Sequence, residues 1–256
     1  AMIECIQRVG SVWQRNLEAF LRTYRVNFIP PFIEPLLYLL ALGFGLGTYI
    51  EAVDGVPYPV FIAPALVSIS VMNSAFYECT YSSFVRMYYQ KTFDAIIATP
   101  VSIDEVIAGE MIWGATRGVI YAGLMLPVLI LFGVAAMPSS LLLIPFAFIA
   151  GLLFAGIAMC FTAITPSIET LNYPSFLFIT PMFLFSGTFF PLELLPDAVR
   201  CAALAALPLT HVVEINRAIT LEAVSAANLL NLAWIAVATA IFCSLAIRLM
   251  RRRLVV

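Results

Sequence analysis

The amino-acid sequence predicts an all-α integral membrane protein with six transmembrane helices, and three observations support this fold class. Apolar residues make up 62% of the 256 positions and charged residues only 11%, whereas a soluble domain is about 45–50% apolar and about 25% charged. The apolar residues form unbroken runs long enough to cross a bilayer. In lipid, backbone N–H and C=O groups must be bonded within the structure, so such runs favour helices over the short alternating strands of a barrel.

The first predicted element is an amphipathic helix within residues 1–27, and we expect it to lie along the membrane surface. Its apolar face consists of Val9, Trp13, Leu17, Phe20 and Tyr24, and its polar face of Arg8, Arg15, Glu18 and Arg22. These residues recur at helical spacing. An ordinary helix packed on the transmembrane spans fits the same pattern, so both placements remain open.

The membrane domain follows as residues 28–256, with six segments of span length, since a crossing helix needs about 20 residues. The candidate spans are Phe28–Ile50, Pro59–Tyr81, Ile112–Ala135, Leu141–Thr165, Leu171–Phe190 and Ala227–Leu249. Most Lys and Arg residues then fall on one side of the bilayer. Because positive charge marks the cytoplasmic side, we expect both termini in the cytoplasm.

The connection between the second and third spans is predicted to be a rigid cytoplasmic elbow. From Phe84 to Ile97, apolar and polar residues alternate with helical period. The apolar face consists of Val85, Tyr89, Phe93 and Ile96, and the opposite face of Arg86, Gln90 and Asp94. Pro100 ends this helix, and Ser102 with Glu105 forms a capping box that begins the next. A rigid elbow can transmit a push from a cytoplasmic partner; a solvated connecting loop is the alternative.

The connection between the fifth and sixth spans, roughly Gly187–Ala226, is long but still apolar. Apolar stretches of about 10–14 residues are too short to cross a membrane and are typical of re-entrant or interfacial helices. We predict two short helices here, one ending at Pro208 and another from Thr210 through Ile219. They would cap the external end of the bundle.

Glu34, Glu78 and Arg117 are the ionisable residues predicted to lie within spans. Such residues are costly in lipid and are candidates for function. All three lie near the predicted cytoplasmic ends, where long side chains can reach polar surroundings or pair with Arg25 or Arg86. We therefore favour structural pairing over contact with a substrate.

Several kinds of chemistry are excluded by the sequence. Lys91 is the only lysine and lacks the glycine-rich approach of a phosphate-binding loop, so the chain cannot hydrolyse ATP by itself. His211 is the only histidine, and we expect it to make a structural hydrogen bond rather than to bind a metal. The small-residue pairs at Gly43 and Gly47, and at Gly114 and Gly118, indicate close helix packing. We expect no catalysis, no metal or cofactor in this chain and no nucleic-acid partner.

Motifs along almost the whole chain add a family resemblance. They are Pro35–Leu40 with Gly43–Gly47, Ala63–Leu66 with Phe76–Tyr81, Ala98–Pro100 with Gly109, Glu110, Trp113 and Arg117, and Thr180–Gly187 with Leu207–His211. This ordered succession resembles the type-2 ABC exporter permeases, in particular their NodJ-like branch. Glu34 stands where that branch leads us to expect an aspartate before the proline.

The resemblance implies a homodimeric permease in the bacterial inner membrane, surrounded by lipid and working with two copies of a separate ATPase that binds ATP and Mg²⁺. It also implies that the helix Arg86–Ile97 is the coupling helix seated in the ATPase cleft. The coupling residues would be Arg86, Tyr89, Gln90, Lys91, Phe93 and Asp94. Substrates of the family include lipo-oligosaccharides, lipid-linked glycans and drugs.

The leading hypothesis is therefore outward transport of an amphiphile of the lipo-oligosaccharide or lipid-linked glycan class. Phe44, Phe183, Phe185 and Phe189 are candidates to line or gate the path, although packing against lipid is the commoner fate of such rings. A drug-efflux permease and a non-transporting membrane scaffold are the alternatives. An intramembrane enzyme would require Glu34, Glu78 and Asp94 to cluster around a cavity.

Overall fold

The computed structural model describes residues 2–23, 33–50, 52–53 and 55–254, which are helical apart from their connections and one two-stranded hairpin. In chain order the helices are α1 (Met2–Arg22), α2 (Ile33–Thr48), α3 (Tyr58–Tyr89), α4 (Thr92–Ile97), α5 (Ile103–Leu131), α6 (Ser139–Ile164), α7 (residues 169–185), α8 (Asp197–Ala206), α9 (Pro208–Thr220) and α10 (Ala226–Leu254). Strands β1 (Ala52–Val53) and β2 (Val56–Pro57) form the antiparallel hairpin between α2 and α3.

Four of the helices are long and apolar enough to cross a membrane, namely α3, α5, α6 and α10. They cover the second, third, fourth and sixth predicted spans. The first predicted span falls on α2, which begins at Ile33, while its expected start at Phe28 lies outside the described residues. The pair α8 and α9 would make a fifth crossing only if it were counted as one broken span.

The fifth predicted span falls on α7, which is irregular. It is composed of the 3-10 turn Glu169–Leu171, the α-helical turn Asn172–Pro174, the π-helical turn Ser175–Ile179 and the α-helix Thr180–Phe185. Two prolines, Pro174 and Pro181, lie within this stretch. Each lacks a backbone N–H and crowds the preceding turn, so a regular ladder of hydrogen bonds is interrupted.

The helices α3, α5 and α6 pack closely because small residues lie where they meet. A Cβ atom added at Gly114 of α5 would lie 2.6 Å from the sulfur of Cys79 on α3. One added at Gly151 of α6 would lie 2.9 Å from the Cα atom of Ala115 on α5. The close packing predicted for Gly114 is confirmed, since no larger side chain fits there without a shift of its neighbours.

Helix α1 packs along α5. A Cβ atom at Gly109 of α5 would lie 2.7 Å from the Cβ atom of Val12, and Nε1 of Trp13 donates a hydrogen bond of 2.9 Å to Oγ1 of Thr116. The two-faced helix predicted near the N-terminus is thus present, and it is packed on a predicted span. Tyr24, expected to extend its apolar face, lies outside the described residues.

The two short helices predicted near the external end are confirmed as α8 and α9, which meet at an angle of 88°. Most of α9 is buried, and Nδ2 of Asn216 donates a 2.7 Å hydrogen bond to Oγ of Ser68 on α3. The ring of His211 makes hydrogen bonds of 2.8 Å to Oδ1 of Asn231 and 3.0 Å to the carbonyl oxygen of Leu204. These contacts are the structural hydrogen bonding that we expected of this histidine.

Candidate functional site

The elbow between α3 and α5 differs from the single helix predicted over Phe84–Ile97. The backbone of Lys91 is in the left-handed conformation, with φ of 53°, and separates the end of α3 from α4. This conformation is uncommon for a residue with a side chain. The prediction of one continuous helix is therefore wrong.

The same region contains π-helical turns at Glu78–Ser82 and Val85–Tyr89. A π turn holds more residues than an α turn, so it shifts the phase of the residues that follow. The faces read from the sequence consequently do not match the observed ones. Tyr89, expected on the apolar face, is 62% exposed, whereas Arg86, expected on the polar face, is directed into the protein with a side chain only 15% exposed.

The far end of the elbow is built as predicted. After α4 ends at Ile97, Oγ of Ser102 accepts a 3.3 Å hydrogen bond from the backbone N–H of Glu105, and Oε2 of Glu105 accepts one of 2.7 Å from the backbone N–H of Ser102. The capping box is confirmed, and it fixes the start of α5. Phe93 of α4 is fully buried and anchors the elbow, while Lys91 and Asp94 project from it with exposed side chains.

Behind the elbow, a buried carboxylate holds three helices together. Glu110 of α5 has no exposed surface. It accepts hydrogen bonds from Oγ of Ser83 at 2.7 Å and from Nε of Arg86 at 3.0 Å, both on α3. From α1, it accepts hydrogen bonds from Nδ2 of Asn16 at 2.8 Å and from Nη2 of Arg15 at 3.1 Å.

A second buried carboxylate extends this cluster deeper into the bundle. Glu78 of α3 lies 2.8 Å from Nη1 of Arg86 and 2.5 Å from Nη1 of Arg117, and it also accepts a 3.1 Å hydrogen bond from Nε1 of Trp113. The structural pairing expected for Glu78 and Arg117 is therefore present. We refer to Arg15, Glu78, Arg86, Glu110 and Arg117 as the ion network.

The ion network couples the elbow to the helices on either side of it. Arg86 bridges the two carboxylates just before the break at Lys91, and it therefore links the last turns of α3 to α5. Partial burial lowers the pKa of Arg15, while the Glu110 carboxylate acts against that shift. Removing one member of such a buried group leaves an uncompensated charge, which costs about 3–5 kcal/mol.

Sequence reasoning missed Arg15, Asn16 and Glu110 as members of this site. Glu110 was placed outside the bilayer because the third span was expected to begin at Ile112. The signal that was available is the spacing of Glu110 and Arg117, which are two helical turns apart and so lie on one face of α5. No local pattern shows that Arg15, 95 positions earlier, meets the same carboxylate.

A cavity of about 320 Å³ lies beside the ion network, between α2, α3 and α5. Its lining combines aromatic rings with small polar side chains: Glu34, Pro35, Tyr38, Leu66, Ile69, Ser70, Asn73, Ser74, Tyr77, Glu78, Tyr81, Ser82, Arg117 and Tyr121. We call it the α2–α3–α5 cavity. Its volume falls in the range of about 300–1,000 Å³ that small-molecule sites occupy.

The cavity brings Glu34 and Glu78 to one place but leaves Asp94 on the exposed elbow. The clustering that an intramembrane enzyme would require is thus incomplete. Glu34 itself is exposed, and its expected partner Arg25 lies outside the described residues. Within the described ranges, no group of three His, Cys, Asp or Glu side chains is arranged to hold a metal ion.

The four phenylalanines proposed for the path separate into two sets. The ring of Phe183 lies 5.7 Å from that of Tyr38, which lines the cavity, and 4.8 Å from that of Phe189. Phe44 lies apart from them, against a ring at the end of α5, and Phe185 is exposed. Phe183 and Phe189 therefore continue the aromatic wall of the cavity, whereas Phe44 and Phe185 do not take part in that contact.

Comparison with known proteins gives consistent results. A family model described as ABC-2 type transporter matches residues 7–221. Nodulation protein J of Sinorhizobium fredii is 32% identical over 244 residues, which cover 95% of this chain and 93% of the relative. Nodulation protein J of Rhizobium meliloti is 36% identical over 211 residues, covering 82% and 80%. The inner membrane transport permease YadH of Escherichia coli is 26% identical over 187 residues, covering 73% and 72%.

Proposed function

Because the chain belongs to the ABC-2 type transporter family, we propose that it is the permease subunit of an ABC exporter that moves an amphiphile outwards across the bacterial inner membrane. The proposed substrate class is a lipo-oligosaccharide or lipid-linked glycan, as the family resemblance of the sequence implies. ATP and Mg²⁺ would be bound by a separate ATPase chain, since this sequence has no phosphate-binding loop.

We propose six spans, with α2 and α7 as the first and fifth, and both termini in the cytoplasm. The distribution of basic residues supports this orientation: α1, the elbow and the end of α10 carry most of them. An even number of crossings brings these three segments to the same side. The bent pair α8 and α9 would then dip into the external end without crossing.

The observation that carries the proposal is the construction of the elbow. Its outer surface presents Tyr89, Gln90, Lys91 and Asp94, all exposed, and its inner side is held by buried Phe93. We propose that the exposed four contact the ATPase, that Phe93 anchors α4, and that Arg86 passes the displacement of the elbow to the ion network. This divides the six coupling residues expected from the sequence into contact, anchoring and transmission roles.

In the proposed cycle, two copies of the chain form a dimer and each elbow is seated on one ATPase. ATP binding closes the ATPases and displaces both elbows. Since Arg86 joins α3 to α5 and Glu110 joins α5 to α1, a displaced elbow moves these helices together rather than bending one of them. Helices α2, α3 and α7 would then alternate access at the dimer interface.

Reconstitution tests this function directly. The chain is purified with the Walker-motif ATPase encoded beside it and placed in proteoliposomes, and ATP hydrolysis is measured with and without a lipo-oligosaccharide. We expect stimulated hydrolysis and ATP-dependent movement of the amphiphile across the bilayer. A complex that forms but neither responds to amphiphiles nor moves them would identify a membrane scaffold and contradict the proposal. Stimulation by apolar drugs alone would replace the substrate class with that of a drug-efflux permease.

The contact role of the elbow is tested by exchanging the charges of its exposed pair, Lys91→Asp with Asp94→Lys. These side chains lie 3.8 Å apart, so the exchange preserves their mutual attraction while reversing what the ATPase meets. We expect at least a tenfold loss of ATPase affinity, which corresponds to about 1.4 kcal/mol, with unchanged thermal stability of the permease. The matched control exchanges the exposed pair Glu193 and Arg200, which lie 3.7 Å apart on the predicted external side. Equal behaviour of the two exchanged variants would remove the contact assignment.

A further inference from the structure

We infer that the α2–α3–α5 cavity binds the neutral, hydroxyl-bearing head group of an amphiphile. The cavity lies inside one protomer and is distinct from the dimer interface that the transport cycle uses. The inference rests on the proposed function only in identifying this ligand with the transported substrate. It names the site, the chemistry of the head group and the residues that select it.

Two unpartnered polar atoms define what the ligand must offer. Oδ1 of Asn73 and Nε of Arg117 are sealed from solvent without a hydrogen-bond partner, and both residues line the cavity. The other nitrogens of Arg117 are engaged, Nη1 by Glu78 and Nη2 by the hydroxyl group of Tyr121. An unmade hydrogen bond on a buried polar atom is costly, so a ligand that satisfies both atoms is favoured.

The pair consists of one acceptor and one donor, and this discriminates between head groups. A hydroxyl group both donates and accepts, so sugar hydroxyls can satisfy Asn73 and Arg117 together. An ionised phosphate oxygen accepts from Arg117 but has no proton for Asn73. A quaternary ammonium group has neither a donor nor an acceptor. Polyhydroxylated head groups are therefore the class that fits both atoms.

The charges around the cavity also favour a neutral ligand. Three arginines, Arg15, Arg86 and Arg117, are balanced by three carboxylates, Glu78 and Glu110 in the ion network and Glu34 in the cavity lining. An anionic head group would gain from Arg117 but would lie beside two carboxylates. A cationic head group would meet the reverse arrangement. Neither sign of charge finds an excess of the other.

The aromatic part of the lining suits the apolar faces of sugar rings. Tyr38, Tyr77, Tyr81 and Tyr121 supply flat rings, each with a hydroxyl group at its edge. Tyr77 is partly exposed at the rim, and the hydroxyl group of Tyr81 donates a 2.7 Å hydrogen bond to Oδ1 of Asn172 on α7. Rings with a few convergent polar groups are the usual lining of small-molecule sites.

The test uses the full chain in lipid nanodiscs, without ATPase. A photoreactive octyl glucoside labels the protein, the labelled peptides are identified by mass spectrometry, and unlabelled octyl glucoside, octyl phosphate and octyltrimethylammonium compete at matched monomer concentrations. We expect labelling of α3 around Asn73 and Tyr77, with octyl glucoside competing at least tenfold better than either charged analogue. Asn73→Leu and Tyr77→Ala should each weaken competition at least fivefold, whereas Tyr173→Ala, a matched change of an exposed tyrosine outside the cavity, should not. Thermal melting of each variant shows whether it is folded.

Each other outcome overturns the inference. Equal or better competition by octyl phosphate or octyltrimethylammonium would refute the neutral head group. Labelling that avoids the cavity peptides in folded wild-type protein would mean that Asn73 and Arg117 are satisfied by water only. The expected labelling together with ATPase turnover that no amphiphile stimulates would leave the binding site standing and refute the proposed transport function, so the two failures are distinguishable.

Discussion

Replacing the buried carboxylate of Glu110 with an amide is the sharpest test of the ion network. Glu110→Gln keeps the size of the side chain but removes its charge. One acceptor oxygen becomes an N–H₂ group that faces the donors of Arg86 and Asn16. Arg86 then retains Glu78 alone, and that carboxylate is already shared with Arg117.

The expected loss follows from this geometry. Removing one partner of a buried ion pair costs about 3–5 kcal/mol. Since Arg86 keeps its 2.8 Å contact with Glu78, we expect the lower end, about 3 kcal/mol. At about 2–4 °C per kcal/mol for a chain of this size, the melting temperature should fall by about 6–12 °C.

A thiol-reactive fluorogenic dye measures the melting of the purified permease. Cys79 is buried beside the network and becomes reactive only when α3 and α5 separate. The exposed thiols of Cys5 and Cys201 are first replaced by serine to lower the background. Glu193→Gln at the exposed external pair is the matched control, and it should shift the melting temperature by no more than about 2 °C.

A double-mutant cycle with Arg86→Met decides whether the effect arises from the network. In the Glu110→Gln background, Arg86 is poorly compensated, so its removal should cost less than in the wild type. We expect a coupling energy of about 2 kcal/mol, against the ~0.5 kcal/mol within which independent sites add. Additive losses, or a Glu110→Gln variant that melts with the wild type, would refute the account of Glu110 as the link between α1, α3 and α5.

Three further predictions use the same melting assay. Gly114→Ala should cost about 1–3 kcal/mol because its new Cβ atom would lie 2.6 Å from the sulfur of Cys79; Gly123→Ala, which meets open space, should be neutral or slightly stabilising, and equal effects would contradict the packing. Ser102→Ala removes half of the capping box and should cost about 1 kcal/mol, with Ser102→Gly losing less; an unchanged alanine variant would remove the cap from the account of the elbow. His211→Ala should cost about 1–3 kcal/mol through its two lost hydrogen bonds, and a chelator should leave wild-type melting unchanged, since a shift would indicate metal binding.

The features that the sequence predicted well are governed by local chemistry. The end of α4 is set by Pro100, the start of α5 by Ser102 and Glu105, and the bent external pair by Pro208 at the start of α9. Each depends on residues within one or two turns. Long apolar runs placed α3, α5, α6 and α10 for the same reason.

The observed orientation of the elbow could not be read from the same patterns. Assigning faces to Arg86 and Tyr89 assumed a constant period, and the π-helical turns Glu78–Ser82 and Val85–Tyr89 break that assumption. The left-handed backbone at Lys91 has no glycine or asparagine to signal it. Both departures arise from tertiary packing rather than from local preference.

The candidate site was predictable only in part. Glu78 and Arg117 were found because charges within apolar runs stand out. Glu110 was missed because its position relative to the bilayer depended on a span boundary that was set several residues too late. The cavity depends on α2 meeting α3 and α5, and a single sequence contains no pattern for that contact.

The link between α1 and Glu110 also constrains how the protein is made. Asn16 leaves the ribosome 94 residues before Glu110, and at about 5–20 residues per second this interval lasts roughly 5–20 s. Throughout it, α1 has no docking site, and its apolar face must be held by the bilayer surface. Arg86 and Ser83 emerge earlier than Glu110 but only 24 and 27 residues away. The carboxylate can therefore enter the membrane already paired with α3, and α1 joins this hairpin last although it was synthesised first.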